Sequence, residues 1–192
     1  MAHPSGGPGA FLRRSAQAAW RRLPTGVVVA LWRLRRVRTR RSGGVALEVR
    51  TIAVQPGVEI DVYWLPAPFG PAPAASLYVL GDEAMRLDCS DGDRAHAHLS
   101  IAQAQLLSPG YTARLYFPPG PVAAHVERAA FEVEHNAPFA VAASLDRRVR
   151  LLRLDPERLR AAAAEMRAAM LELVERHDDE VRVVVGGPDL PG

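Results

Sequence analysis

The stretch Ser76–Ile101, SLYVLGDEAMRLDCSDGDRAHAHLSI, constrains the fold more than any other part of the chain. Met85, Leu87 and Cys89 alternate with Arg86 and Asp88, and Ala95, Ala97, Leu99 and Ile101 alternate with His96, His98 and Ser100. Successive side chains of a strand point to opposite faces, so this period of two predicts two half-buried strands. Ser90-Asp91-Gly92-Asp93 between them is a run of turn formers. Pairing centred on Gly92 sets Cys89 against Ala95, Leu87 against Ala97 and Met85 against Leu99. The same register puts Asp88 opposite His96 and Arg86 opposite His98. A slip of one residue would mix apolar and polar faces. The prediction is a hairpin with one dry face and one face carrying an arginine, a carboxylate and two imidazoles within side-chain reach.

Three readings fit that polar face. Two histidines and one carboxylate can form a facial metal triad, which makes Asp88, His96 and His98 candidate metal ligands. Arg86 beside them opposes a divalent cation. Nucleophilic chemistry by Cys89 fits less well, because the thiol shares the dry face while the imidazoles point away from it, and a buried cysteine is inert. The plainest reading is a hydrogen-bonded Asp–His pair on a solvated or partner-covered sheet face, and the residues favour it.

The segment also resembles, in part, the cupin signature. His96-Ala97-His98 is followed at the right interval by Gln103, where that family usually carries Glu, and then by Gly110. The chain departs from the pattern at three points. Gly92 lies too close upstream, and His125 lies too far beyond Pro118-Pro119-Gly120 to complete a second motif. The two motifs also leave no room for the intervening jelly-roll strands. A second, fainter resemblance covers residues 46–175 and rests on Ser76–Cys89, the His-x-His at 96–98 and Phe131–Asn136. It is to small uncharacterised bacterial domains and implies no activity.

Charge is divided unevenly along the chain. Residues 1–44 hold ten arginines and no acid, whereas residues 45–192 hold fourteen arginines and twenty-one acids, so the net charge of +3 hides a basic arm on a mildly acidic body. The body therefore lacks the basic stripe that binding phosphate backbones requires. For the arm, a nucleic-acid contact, a surface-seeking segment around Trp20 and Trp32, and a twin-arginine signal at Arg13-Arg14 are all open. The favoured expectation is a disordered leader, or a translation start displaced upstream of a true one near Val45. All 24 basic residues are arginine, the mark of GC-rich, bacterial coding. A single cysteine precludes an intrachain disulfide and fits a cytoplasmic protein. The longest apolar run, Val27–Trp32, is too short to span a membrane.

Residues 46–54 and 58–65 read as strands joined by a turn at Pro56-Gly57, with Val58, Ile60, Val62 and Trp64 inward. Residues 66–75 read as a proline-rich loop outside the sheet, followed by a strand at 76–80 and a tight turn at Gly81-Asp82. A further strand is expected at 111–117. Pro121 opens a helix that Asn136 and Pro138 should end near His135, with a strand over Phe131–Glu134 as the alternative. His125 and His135 are expected on its surface. Residues 147–154 read as a short strand. The best-signalled helix is 156–177, with Asp155 as N-cap, Pro156 at the first position, and a buried stripe through Leu159, Ala162, Ala163, Met166, Ala169, Met170 and Leu173. Residues 178–192 are expected to be a flexible tail with an optional edge strand.

Strands first and helices last predict an α+β domain over 45–177: an antiparallel sheet of five or six strands with one or two C-terminal helices on one face. The residues favour a non-catalytic binding or interaction module, with a protein partner or a homodimer as its counterpart. The alternative is a small metal-dependent or hydrolase-like enzyme using Asp88, His96 and His98, with Arg86 placing an anion. No organic cofactor is predicted, and a divalent metal is the one inorganic candidate.

Overall fold

The computed structural model describes residues 46–66, 71–99 and 113–177, together with Val27. The remainder of the arginine-rich arm, the tail from 178, and Ser100, Ile101, Gln103 and Gly110 lie outside the described residues. Six strands form one antiparallel sheet in sequence order: β1 (Leu47–Gln55), β2 (Val58–Leu65), β3 (Ala72–Val79), β4 (Asp82–Asp88), β5 (His96–Leu99) and β6 (Ala113–Tyr116). Three helices follow among the described residues: α1 (Val122–Ala142), α2 (Arg147–Leu151) and α3 (Pro156–Arg176). The molecule is thus the α+β arrangement that the order of elements predicts. No helix among the described residues is long and apolar enough to cross a membrane.

One face of the sheet carries the core. Val58, Ile60, Val62 and Trp64 of β2 alternate inward, paired with Val79, Leu77, Ala75 and Pro73 of β3. Met85 and Leu87 of β4 and Ala97 of β5 continue the same face and are fully buried. α3 lies over β1–β3, α1 lies over β3–β5, and the two helices pack against each other. Ala129, Ala162, Ala163 and Ala169 are buried in this layer; their short side chains let the helices lie close to each other and to the sheet.

α3 starts where its cap requires. The Asp155 carboxylate accepts from the amides of Glu157 (3.1 Å) and Arg158 (3.2 Å), two of the donors that a helix start leaves unpaired. All seven residues of the expected stripe are buried. Gln55, at the end of β1, ties the sheet to this start: its amide donates to the Arg153 carbonyl (3.0 Å) and its oxygen accepts from the Asp155 amide (2.8 Å). At the other end of α3, His177 stacks on Trp64 with centroids 4.4 Å apart and meets the Glu48 carboxylate at 2.7 Å.

Several local expectations are corrected. The loop over 66–75 ends earlier than predicted, because β3 begins at Ala72 and includes Pro73. The Pro73 carbonyl accepts from the Cys89 amide on the β4 side. Its missing N–H therefore falls on that same side, where β4 is ending, and costs the sheet little. The tight turn centres on Leu80-Gly81, both at positive φ (46° and 96°), rather than one residue later. Two such residues match a type I′ hairpin, with Leu80 in the left-handed conformation that disfavours a branched side chain.

α1 runs seven residues past His135, straight through Pro138. Pro138 is exposed, so the lost backbone bond lies on the solvent side, while Ala137, Ala140 and Val141 stay buried and hold the last turns down. Phe131–Glu134 is helical. Residues 147–151 form a helical turn rather than a strand, because Asp146 caps it by accepting from the Arg148 amide at 2.8 Å. His135 is exposed as expected, but His125 is 2 % exposed. Its Nδ1 lies 2.7 Å from the Ser90 carbonyl oxygen and its Nε2 lies 2.9 Å from that of Pro118.

Core and cap differ in what their loss should cost. Leu87→Ala is expected to lower stability by about 2–5 kcal/mol, and Asp155→Ala by about 1 kcal/mol. Urea denaturation of the two variants beside the parent checks both the sizes and their order.

Candidate functional site

The outer face of the sheet is assembled by register. Thr51, Asp61, Ser76, Arg86, His98 and Arg114 are cross-strand partners in succession, one from each strand from β1 to β6. The next row runs Tyr63, Ala74, Asp88, His96 and Tyr116. Asp88 is thus opposite His96, and Arg86 opposite His98, as the hairpin reading predicts. This face is not the open solvated surface of a typical half-covered sheet. Asp61 and Ser76 are fully buried, and Tyr63 and His98 are each 7 % exposed.

Buried polar groups need partners, and here they find one another across strands. The Thr51 hydroxyl donates to Asp61 Oδ1 at 2.6 Å. Ser76 Oγ donates to Glu83 Oε1 at 2.7 Å, which leaves its lone pairs to accept from the Tyr63 hydroxyl at 2.9 Å. Burial raises the Tyr63 phenol well above its ordinary range against the opposing pull of the Ser76 bond, so it remains a donor.

The hairpin cluster is tighter. His98 Nε2 lies 2.8 Å from His96 Nε2, 3.0 Å from Asp88 Oδ2 and 2.6 Å from Arg86 Nη2. His96 Nε2 is 3.6 Å from the same carboxylate oxygen. His96 Nδ1 is 2.7 Å from the Arg94 carbonyl oxygen, which can only accept, so this nitrogen carries the proton and Nε2 presents its lone pair. Arg86 Nε approaches Asp88 Oδ1 to 3.3 Å, yet both atoms are buried and neither makes an aligned hydrogen bond.

Burial pushes the Asp88 carboxyl up, but the His98 hydrogen bond and the Arg86 charge outweigh it and hold the group below its ordinary value. Burial lowers His96 in turn, against the Arg94 carbonyl and the Asp88 charge, so the ring stays neutral further into acid. Cys89 is fully buried on the other face, and burial keeps its thiol protonated. The expectation that the thiol and the imidazoles are separated holds.

These groups border a cavity of about 530 Å³ at one end of the sheet. Ala72, at the start of β3, and Leu65, its partner at the end of β2, form the apolar part of the lining. The walls include Arg86, Asp88, His96 and His98 of the predicted cluster, together with Arg94, Arg114 and Tyr116, which sequence reasoning did not assign to the site. A signal for two of these exists in the sequence: Arg114 and Tyr116 alternate with Ala113 and Leu115, so pairing β6 beside β5 would align them with the histidines. Arg94 sits in the loop and follows no periodicity.

No protein-family model, curated protein or solved structure matches the chain.

Both downward shifts start from ordinary values of 6.5 for the imidazole and 3.8 for the carboxyl. The unfolded chain therefore takes up protons first as pH falls, and stability declines from pH 6.5 downward. His96→Gln is expected to flatten the decline between pH 6.5 and about pH 5 while leaving the lower limb that belongs to Asp88. Urea midpoints across that range check it; an unchanged slope assigns the titration elsewhere.

Proposed function

We propose that this domain is a binding module for a small anionic molecule, a carboxylate or a phosphate ester, held in the cavity over the β3–β6 end of the sheet. The observation that carries the reading is the cavity's lining: Arg86, Arg94 and Arg114 come from three separate segments to one space of about 530 Å³, within the range of small-molecule sites. Guanidinium groups present paired donors that match carboxylate and phosphate oxygens. Tyr116 adds an aromatic wall, and Leu65 and Ala72 give the apolar part of a ligand somewhere to lie.

Binding fits these residues better than nucleophilic catalysis. The chain's one thiol lies under the helices, away from the cavity. Asp88, His96 and His98 all bond to one another or to Arg86, instead of lining up as nucleophile, base and orienting group.

Calorimetric titration of the purified chain with inorganic phosphate and with succinate tests the reading. Saturable binding of one of them is expected, weakened about 10- to 100-fold by Arg114→Ala, the loss of one charge-assisted hydrogen-bond pair. Heatless titrations with both anions at millimolar concentration, or an Arg114→Ala variant that binds like the parent, would count against it.

A further inference from the structure

The geometry points to a divalent transition-metal site formed by Asp88 Oδ2, His96 Nε2 and His98 Nε2, with its open side toward the cavity. The three atoms form a triangle with edges of 2.8, 3.0 and 3.6 Å. Ligands bound at 2.0–2.2 Å around a tetrahedral ion stand roughly 3.3 Å apart, so one ion can reach all three with small adjustments. Two imidazoles and one carboxylate are a donor set suited to first-row divalent ions. All three side chains are largely buried, at 17 %, 15 % and 8 % exposure for Asp88, His96 and His98. Each is carried on a hydrogen-bonded strand, which fixes a site better than a loop does.

Two further observations separate this cluster from an ordinary Asp–His pair. The first is the outer support of His96: the Arg94 carbonyl holds its Nδ1 proton, fixing the tautomer whose Nε2 can ligate. The second is an unresolved conflict at His98 Nε2. Arg86 Nη2 at 2.6 Å offers only a proton, while His96 Nε2 and Asp88 Oδ2 on the same nitrogen offer only lone pairs. One nitrogen cannot accept from the first and donate to the others. Asp88 Oδ1 is buried without a hydrogen bond as well. A cation at the centre of the triangle removes the conflict, because every lone pair then faces one positive charge. Arg86 supplies that charge from the side, and its side chain is 37 % exposed, so it can swing into the cavity as an ion enters. There it would face an anion bound to the metal's remaining positions. The site itself stands on the ligand geometry and needs no anion.

Untagged full-length protein, stripped with chelator and titrated with CoCl2, tests this through visible d–d absorption, with ZnCl2 as competitor. One saturable equivalent is expected. Asp88→Asn and His96→Gln should each weaken uptake at least about tenfold, whereas His135→Ala should leave it unchanged. Arg86→Gln should tighten uptake about threefold or more, since it removes the competing cation. Circular dichroism of each variant separates lost ligation from lost folding. Uptake weaker than about 1 mM in the parent, or uptake that survives both ligand substitutions in folded protein, overturns the site. Phosphate binding that persists when cobalt uptake fails sinks the metal alone; cobalt uptake without phosphate or succinate binding sinks the anion pocket alone.

Discussion

The pairing of β4 with β5 decides which side of the sheet every important group occupies. In the observed register Met85, Leu87 and Ala97 lie under the helices and Arg86, Asp88, His96 and His98 lie on the far face. A slip of β4 by one residue would turn Arg86 and Asp88 under the helices and Met85 and Leu87 outward, mixing the two sets. It would strip water from two formal charges, at several kilocalories each, and surrender the burial of two large apolar side chains at about 1.5–3 kcal/mol apiece. No single contact enforces the register, because all four residue pairs of the short β4–β5 ladder favour it together. The helical layer turns that preference into a fixed geometry, and the polar cluster inherits its precision from the dry side.

The far face shows what a polar sheet surface becomes when it is not left to water. Its hydroxyls and acids are organised across the strands: Thr51 to Asp61, and Tyr63 through Ser76 to Glu83. Each chain of bonds ends on a carboxylate, the strongest acceptor available, so no donor in it is wasted. Toward β5 the pattern changes. The sheet borders the cavity there, and Arg86, His96 and Asp88 crowd around one His98 nitrogen. Both ends keep one buried carboxylate oxygen without a hydrogen bond, Asp61 Oδ2 at one and Asp88 Oδ1 at the other.

Much of this was legible in the residues. Alternation set the β4–β5 register, and the Asp155-Pro156 start and the seven-residue stripe set α3, because each is a local signal that tertiary packing reinforces. The cluster of Asp88, His96, His98 and Arg86 follows directly from that register. What was not legible depended on burial and caps that outweigh a local pattern, or on partners from other strands. Pro138 looks like a helix end until Ala140 and Val141 are seen to bury the last turn. Residues 147–151 look strand-like until the Asp146 cap is weighed. The cavity needed Arg114 and Tyr116 from β6 and Arg94 from a loop, and the burial of Asp61 and Ser76 has no sequence period of its own.

His125 gives the two layers a mechanical connection. The ring belongs to the helix over the dry side, yet its two nitrogens rest on the carbonyls of Ser90 and Pro118. Ser90 opens the segment that carries Asp93 and Arg94 along the cavity wall. Gly92 in that segment is bridged to Gly120, two residues past Pro118, by paired amide–carbonyl bonds of 3.0 and 3.1 Å. The wall is therefore fastened at two points to the chain that leads into α1, so a displacement of the wall on one side of the sheet pulls on the first turn of the helix on the other.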